Sequence, residues 1–197
     1  MNGKRFFDII ASLAGMLLLW PLFLVIALLI KLKMPGPVFF NQVRAGRFGK
    51  PFTIHKFRTM TVGHEENTIS VKGENRITPL GAVLRKYKFD ELPELWNVLK
   101  GDMSFVGPRP DMPEYFERLK GEEKKILELR PGITGPASLK YANEEELLAD
   151  VEDPVKYNDE VIWPDKVRIN LDYYYNRSFY SDIKLIFQTL LGGRRNK

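Results

Sequence analysis

The sequence of 197 residues predicts an α+β fold dominated by helices, with a membrane helix at residues 1–34 and a single domain at residues 35–197. Three features of the chain predict it. A long apolar run lies near the N-terminus, two short segments alternate in polarity as strands do, and several later segments repeat apolar residues at helical spacing. No internal repeat and no second domain boundary is visible, so we expect one core after the apolar run.

The apolar run extends from Ile9 to Ile30 and is interrupted only by Ser12, Gly15 and Pro21. As a helix of 22 residues it would be about 33 Å long, which is enough to cross the hydrocarbon core of a membrane. A single-pass anchor is therefore one interpretation. The run is too long for the apolar part of a signal peptide, and no small-residue cleavage site follows it.

A re-entrant helix, which enters one leaflet and returns, is the interpretation that the flanking residues favour. Lysine or arginine stands at both ends of the run, and this pattern predicts that both ends lie on the cytoplasmic side. Pro21 lies near the middle, where its missing N–H favours a kink. The flanking cations are Lys4, Arg5, Lys31 and Lys33.

The composition bounds the possible partners and chemistry. The chain has a net charge of +5 and an isoelectric point near 9.3, which predicts an anionic partner such as a phosphate compound, a nucleic acid or an acidic membrane face. It contains no cysteine, so disulfides, thiolate zinc sites and a cysteine nucleophile are excluded. With only two histidines, a histidine-rich metal site is not expected.

Two strands are predicted after the apolar run. The first is a short strand at Val38–Phe40, and the second covers Phe52–Met60. Alternation along the second strand places Lys56 and Arg58 on one face. Two cations on one face indicate contact with an anion, and a solvated face is the alternative. The polar segment 61–75 is predicted to be a loop, and it contains neither a Walker motif nor a GxGxxG motif.

The segment Lys88–Arg109 contains the candidate site. The adjacent carboxylates Asp90 and Glu91 open a predicted short helix, with Pro93 in its first turn and Gly101 at its end. An aspartate at the start of a helix is most often an N-cap, and that role is the alternative to a chemical one. The predicted apolar face of this helix consists of Leu92, Leu95, Trp96 and Leu99.

Cations surround the two carboxylates in the sequence. The turn Gly107–Pro110 holds Arg109 in a fixed direction, and a guanidinium is suited to bidentate contact with phosphate. Arg85 and Lys88 precede the carboxylates and are expected to help keep both of them ionised near neutral pH. Carboxylates that face a fixed arginine suit a phosphate and a divalent metal ion.

The rest of the chain is predicted to be mostly helical. The turn Arg130–Pro136 is fixed by its proline and glycine residues and presents Arg130 as a second guanidinium. Asp172 lies among three tyrosines on a helix that begins near Pro164. The last helix, at about 181–191, has an apolar face and is followed by basic residues. It therefore either lies on a membrane surface or packs against the core.

Five motifs occur in order along the chain: Lys56–Met60 (KFRTM), Asp90–Pro93 (DELP), Asn97–Ser104 (NVLKGDMS), Val106–Pro110 (VGPRP) and Arg130–Gly135 (RPGITG). Together they resemble the motifs of the bacterial sugar transferase family, the monotopic phosphoglycosyl transferases. The match extends from the apolar run to the last helix and is similar to the minimal catalytic form of that family. Five linked motifs are strong evidence where any one of them would be weak.

The resemblance implies an enzyme that transfers a sugar 1-phosphate from a UDP-sugar to polyprenol (undecaprenyl) phosphate, with polyprenol-diphosphate sugar and UMP as products. Such a reaction initiates the assembly of capsule, O-antigen, exopolysaccharide or glycoprotein glycans. The resemblance also implies a position on the cytoplasmic face of the bacterial inner membrane, with membrane lipid as a further partner, and it allows a homodimer.

Residue roles also follow from the resemblance. Asp90 would attack the β-phosphorus and form a phosphoglycosyl-aspartate intermediate, while Asp90 and Glu91 would hold Mg²⁺ and organise the donor diphosphate. Interfacial amphipathic helices around one cytosolic catalytic domain complete the expected architecture. The residues expected to contact substrate are Lys56, Arg85, Arg109, Arg130 and Asp172.

The sequence departs from the family pattern in three places. Trp20 precedes Pro21 where the family has serine, Glu94 stands where glutamine is common, and residues 137–143 replace an asparagine-glycine-arginine stretch. The last difference leaves the sugar undetermined. Two interpretations without catalysis stay open: a membrane-tethered basic module that binds nucleic acid or anionic lipid, and a membrane scaffold that recruits other glycan enzymes. No recognised nucleic-acid-binding motif occurs, which favours the enzyme and predicts no nucleic-acid partner.

Overall fold

The computed structural model describes residues 2–62 and 76–191, so most of the predicted loop 61–75 and the basic segment after residue 191 lie outside the described residues. Helices dominate the described part, and its strands form two separate two-stranded sheets. This confirms the helix-dominated α+β fold that the sequence predicts. The strands are β1 (Phe39–Ala45), β2 (Pro51–Phe57), β3 (Ser104–Val106) and β4 (Gly132–Thr134).

The helices differ greatly in length, and the first is by far the longest. They are α1 (Asn2–Lys33), α2 (Pro79–Lys86), α3 (Glu94–Lys100), α4 (Pro113–Glu117), α5 (Pro136–Lys140), α6 (Glu144–Ala149), α7 (Pro154–Tyr157), α8 (Trp163–Asn176) and α9 (Phe179–Leu190). Segments of 3₁₀-helix cover Arg47–Gly49, Phe89–Glu91 and Gly121–Glu128, and a π-helical turn covers Asn158–Ile162.

Helix α1 continues through Pro21 and packs one face along the rest of the chain. Ile26 and Ile30 are buried on that face. The opposite face is apolar and exposed, with Leu18 78% and Leu32 73% exposed. Among the described residues, α1 is the one helix long and apolar enough to cross a membrane. Its exposed apolar surface indicates association with a membrane.

Charged side chains hold both ends of α1 against the domain. Arg5, near the start, donates hydrogen bonds to two carbonyl oxygens at the end of α3. At the other end, the buried Arg58 donates to the carbonyl oxygens of Met34 and Pro35, at 2.5 and 2.8 Å. These two carbonyl oxygens directly follow α1, and the guanidinium supplies the hydrogen bonds that they need as backbone acceptors. Arg58 is therefore not on a solvated face of the strand, which was the alternative to contact with an anion.

The two predicted strands form an antiparallel hairpin. β1 pairs with β2 in a register that places Phe39 opposite Phe57. β2 ends at Phe57, so it is shorter than predicted, and Met60 forms an isolated bridge with Ile77 instead. Phe57 is buried in a core that α1, β2 and Leu84 of α2 share. This core fixes the hairpin and α2 against the membrane helix.

A short parallel sheet brings two of the motif segments together. β3 pairs with β4 so that Val106 lies opposite Thr134, and residues 130–136, predicted as a turn, therefore contain a strand. Gly107 follows β3, and a Cβ atom at this position would lie 2.2 Å from the carbonyl oxygen of Arg130. Only glycine allows this close approach, which fixes the start of the following turn.

Helix α9 packs against the core, which is one of the two roles considered for the last helix, and also has an exposed apolar side. On one side Asp182 is buried, and the hydroxyl of Thr189 lies 2.6 Å from the hydroxyl of Thr134 in β4. On the other side Phe187 and Leu190 are exposed, at 58% and 75%. The helix therefore packs on the β3–β4 sheet and presents a second apolar surface.

Candidate active site

The two adjacent carboxylates lie on a 3₁₀ turn, Phe89–Glu91, between α2 and α3. Helix α3 begins only at Glu94, so the prediction that the carboxylates open this helix is wrong. Pro93 occupies the N-cap position of α3, which also excludes the N-cap role considered for Asp90. Lys88 has a left-handed backbone conformation with φ of 58° and turns the chain from α2 into the carboxylate turn.

Helix α3 buries Leu95 as predicted, but not the whole of the predicted apolar face. Glu94, Asn97 and Val98 are buried, whereas Trp96 is 46% exposed. The helix has seven residues and lies between α1 and β2, so tertiary contacts rather than apolar spacing select the buried face. As a result, a carboxylate and an amide point into the interior beside the candidate site.

Asn97 is a positioning residue that reasoning from the sequence missed. Its amide nitrogen donates to the carbonyl oxygen of Thr53 at 2.7 Å, and its amide oxygen accepts from the backbone N–H of His55 at 3.1 Å. These bonds fasten β2 to α3 immediately before Lys56. The signal in the sequence was the place of Asn97 at the start of the NVLKGDMS motif.

Glu91 is the centre of a buried cluster of charges. Its Oε1 atom lies 2.9 Å from the ammonium nitrogen of Lys56 and 2.7 Å from Nη2 of Arg109. Burial alone would raise the pKa of Glu91, but the charges of Arg109 and Lys56 outweigh it and hold the pKa well below its usual range. The charge of Glu91 in turn raises the pKa of Arg109. Three predicted site residues are thus in direct contact.

Asp90 has different surroundings although it is the neighbouring residue. It is 8% exposed, and its Oδ1 atom has no hydrogen-bond partner among the described residues. Burial and the charge of Glu91 raise the pKa of Asp90, against the opposing charges of the nearby cations. The cations expected to keep both carboxylates ionised therefore outweigh burial at Glu91 but not at Asp90. A buried acceptor without a partner is unfavourable and marks a place where a ligand can bind.

Glu94 adds a third carboxylate to the cluster. It is 2% exposed, and its Oε1 atom lies 3.1 Å from the ammonium nitrogen of Lys56, without the alignment of a hydrogen bond. Burial raises the pKa of Glu94 to about 7, against the opposing charge of Lys56. Burial would lower the pKa of Lys56, but the charges of Glu91 and Glu94 raise it. Lys56 therefore lies between two carboxylates.

Arg85 lies near the carboxylates but makes its ion pair with α6. Its Nη2 atom is 2.8 Å from Oε1 of Glu145, while its Nη1 atom is buried without a hydrogen-bond partner. Its charge acts on Asp90, whose pKa it lowers. Nη1 of Arg85 and Oδ1 of Asp90 are thus a donor and an acceptor that the described protein groups do not satisfy.

Two of the predicted substrate contacts lie outside this cluster. Nε of Arg130 donates to the carbonyl oxygen of Gly101 at 2.8 Å, at the opposite end of α3 from the carboxylate turn. Asp172 is exposed on α8 and accepts a hydrogen bond from Asn176 at 2.8 Å. Within residues 2–62 and 76–191, neither side chain contacts Asp90. Their role in substrate binding stays a prediction.

The residues present fit a magnesium ion that arrives with a diphosphate. No group of three or more acidic or histidine side chains that could hold a metal ion occurs among the described residues. Mg²⁺ often uses one or two carboxylates together with phosphate oxygens and water. Asp90 offers a free Oδ1 atom for such an ion. Glu91 offers less, because its Oε1 atom already binds two cations.

Comparison with known proteins identifies the family. The family model described as "Bacterial sugar transferase" matches residues 1–194. This chain belongs to the bacterial sugar transferase family. The match includes α1 together with the charge cluster, so the apolar helix is part of the unit that the family shares.

Individual relatives match over almost the whole chain. The "Uncharacterized sugar transferase EpsL" of Bacillus subtilis is 36% identical over 187 residues, which are 95% of this chain and 85% of that protein. The "UDP-N-acetylgalactosamine-undecaprenyl-phosphate N-acetylgalactosaminephosphotransferase" of Aeromonas hydrophila is 37% identical over 95% of this chain and 42% of its own length. The "UDP-glucose:undecaprenyl-phosphate glucose-1-phosphate transferase" of Klebsiella pneumoniae is 36% identical over 100% of this chain and 41% of its own length. The chain thus spans about two fifths of these two transferases.

Proposed function

We propose that this protein transfers a sugar 1-phosphate from a UDP-sugar to undecaprenyl phosphate and releases UMP. The observation that carries the proposal is the buried, partnerless oxygen of Asp90 beside a carboxylate that is already paired with two cations. The two transferases named above act on a UDP-sugar and undecaprenyl phosphate. These two proteins differ in their sugar but are similarly identical in sequence to this chain, so we assign no particular sugar to it.

The two carboxylates have different roles in this proposal. An oxygen of Asp90 attacks the β-phosphorus, the bond from that phosphorus to the bridging oxygen breaks, and UMP leaves with the electron pair. A phosphate oxygen of undecaprenyl phosphate then attacks the same phosphorus, and the bond to Asp90 breaks. Glu91 does not react. It holds Lys56 and Arg109 in place beside the diphosphate.

Charge neutralisation supports attack by a carboxylate on a diphosphate. The side chain of Arg109 is 38% exposed and that of Lys56 is 20% exposed, so each keeps N–H groups available to a ligand. The partnerless Nη1 atom of Arg85 is a further donor. Mg²⁺, held by Asp90 and Glu91, would supply additional neutralisation of the diphosphate when bound.

The packing of α1 supports a re-entrant arrangement on the cytoplasmic face of the inner membrane. Arg5 binds the end of α3, and Arg58 binds the carbonyls after the last turn of α1, so both ends of the helix are held by the same domain. A helix that crossed the membrane once would have to release one of these ends. The exposed apolar face of α1 and that of α9 supply the surfaces that lipid would cover.

Single-cysteine labelling tests this topology, since the chain contains no cysteine of its own. Gly3→Cys and Lys33→Cys lie at the two ends of α1, where both positions are exposed. We expect a membrane-impermeant thiol reagent to label both positions in inverted inner-membrane vesicles and neither position in right-side-out vesicles. Labelling of one end from each side would show a single-pass helix and contradict the proposal.

Release of UMP tests the reaction. Purified protein in nanodiscs is incubated with Mg²⁺, undecaprenyl phosphate and each of a panel of UDP-sugars. We expect UMP and an undecaprenyl-diphosphate sugar in equal amounts with at least one donor, and neither product after chelation of Mg²⁺ by EDTA. A panel of the common bacterial UDP-hexoses and UDP-N-acetylhexosamines that gives no UMP would favour a basic binding module or a scaffold.

A further inference from the structure

The first two turns of α1 bind the elements that carry the active site. Lys4 and Asp8 both contact β3: the Lys4 ammonium donates to the carbonyl oxygen of Val106 at 2.8 Å, and Oδ1 of Asp8 accepts from the backbone N–H of Phe105 at 3.2 Å. Arg5 donates to carbonyl oxygens at the end of α3. Lys4 and Arg5, which were used to predict the membrane topology from the sequence, therefore bind the backbone of the catalytic domain.

The Lys4 ammonium has three partners from three different elements. Besides Val106, it lies 2.6 Å from Oδ2 of Asp182 in α9 and 3.1 Å from the hydroxyl of Tyr173 in α8. The Tyr173 hydroxyl itself donates to Oδ1 of Asp182 at 2.6 Å. Asp182 is 4% and Tyr173 6% exposed, so the bond between them is shielded from water, while the Lys4 side chain is 31% exposed.

The position of Val106 connects this network to the active site. Val106 is the last residue of β3, and the chain continues through the tightly packed Gly107 into the turn that carries Arg109. Arg109 lies 2.7 Å from Glu91. A shift of the Val106 carbonyl would therefore move the guanidinium relative to the carboxylate turn, because only two residues separate them.

We propose that Lys4 is a positioning residue for Arg109, which it holds through the carbonyl oxygen of Val106. The first turn of the membrane helix is then part of the active-site scaffold and not only an anchor. The effect on catalysis rests on the proposed function, whereas the effect on the geometry of residues 104–110 does not.

Hydrogen exchange on the full chain in nanodiscs tests the geometric part. Two bonds report on the turn: the N–H of Gly107 donates to the carbonyl oxygen of Thr134, and that of Gly132 donates to the carbonyl oxygen of Pro108. In Lys4→Met we expect the amide of Gly107 to exchange at least tenfold faster than in the wild type, with the β1–β2 hairpin unchanged. Lys33→Met removes the same charge from an exposed position of α1 and should change neither region.

A second variant separates positioning from stability. Asp182→Asn weakens the same network but leaves the bond from Lys4 to Val106 in place, so exchange in residues 104–110 should stay within threefold of the wild type. Equal acceleration in Lys4→Met and Asp182→Asn, or no selective acceleration in Lys4→Met, would overturn the proposal. If Lys4→Met does not fold, Lys4→Arg is compared in its place, because a planar guanidinium cannot keep all three contacts of the ammonium.

Kinetics tests the catalytic part. Because Arg109 is proposed to contact the donor diphosphate, Lys4→Met should raise the donor KM at least tenfold with kcat within threefold, while Asp182→Asn and Lys33→Met leave both within threefold. A loss of kcat alone, or equal losses in Lys4→Met and Asp182→Asn, would contradict positioning of Arg109. Absence of UMP release by the wild type would refute the proposed function, and hydrogen exchange would still decide the role of Lys4.

Discussion

Asp90→Asn is expected to lower UMP release by at least about 10³-fold while leaving the protein as stable as the wild type or more stable. The amide cannot act as a nucleophile, so activity is lost. Stability is kept because burial and the charge of Glu91 raise the pKa of Asp90, which means that its ionised form is less favourable in the folded state than in the unfolded state. A neutral side chain of the same shape removes that unfavourable charge.

Thermal unfolding, measured without Mg²⁺, checks the stability of the variant. UMP release, measured on the same preparation, checks its activity. Asp150→Asn is the matched control, since it is an exposed aspartate without contacts to the charge cluster and should keep wild-type activity. An Asp90→Asn variant that retains more than a tenth of wild-type activity would exclude Asp90 as the nucleophile. A large loss of stability would instead show that Asp90 has a structural role.

Glu91→Gln is expected to have the opposite effect on stability. Removing one partner of a fully buried ion pair costs about 3–5 kcal/mol, and screening by solvent at the 38% exposed Arg109 reduces the expected cost here to about 2 kcal/mol. Here two cations, Lys56 and Arg109, would lose their shared partner. For a chain of this size the expected fall in Tm is roughly 5 °C. We expect UMP release to fall about 10²-fold, because the two cations would no longer be held in a fixed geometry.

The sign of this effect follows from the pKa of Glu91, which is held well below its usual range. A lowered carboxylate pKa contributes stability above the pKa of the unfolded state, and this contribution is lost as the pH falls through the folded pKa. Glu117→Gln, at an exposed position of α4, is the control with the same change of side chain. A Glu91→Gln variant with unchanged Tm would show that the cluster does not hold the cations as described.

The residues of the charge cluster could be predicted from the sequence because they belong to linked motifs. Asp90, Glu91, Lys56 and Arg109 were all expected at the site, and the structure brings them together. The sequence could not predict that Glu91 is paired with cations while an oxygen of Asp90 has no partner, because burial and tertiary contacts decide this. Neighbours in the chain gave no indication that Glu91 binds both cations.

The remaining errors have a common physical cause, which is contact between distant parts of the chain. Lys4 binds partners that are 102, 169 and 178 residues away, and no local pattern records such contacts. Trp96 was predicted on the apolar face of α3 but is exposed, because α3 is short and the elements packed around it select its buried face. Arg58 was placed at an anion site or in solvent, although it binds the end of α1.

The most direct test of the central claim is the mass of the intact protein after incubation with Mg²⁺ and a UDP-sugar that supports UMP release, in the absence of undecaprenyl phosphate. We predict a mass gain of one sugar phosphate in the wild type, its absence in Asp90→Asn, and its loss when undecaprenyl phosphate is added. If the same donor supports UMP release with undecaprenyl phosphate but gives no adduct without it, Asp90 is not a covalent nucleophile and the acceptor displaces UMP directly.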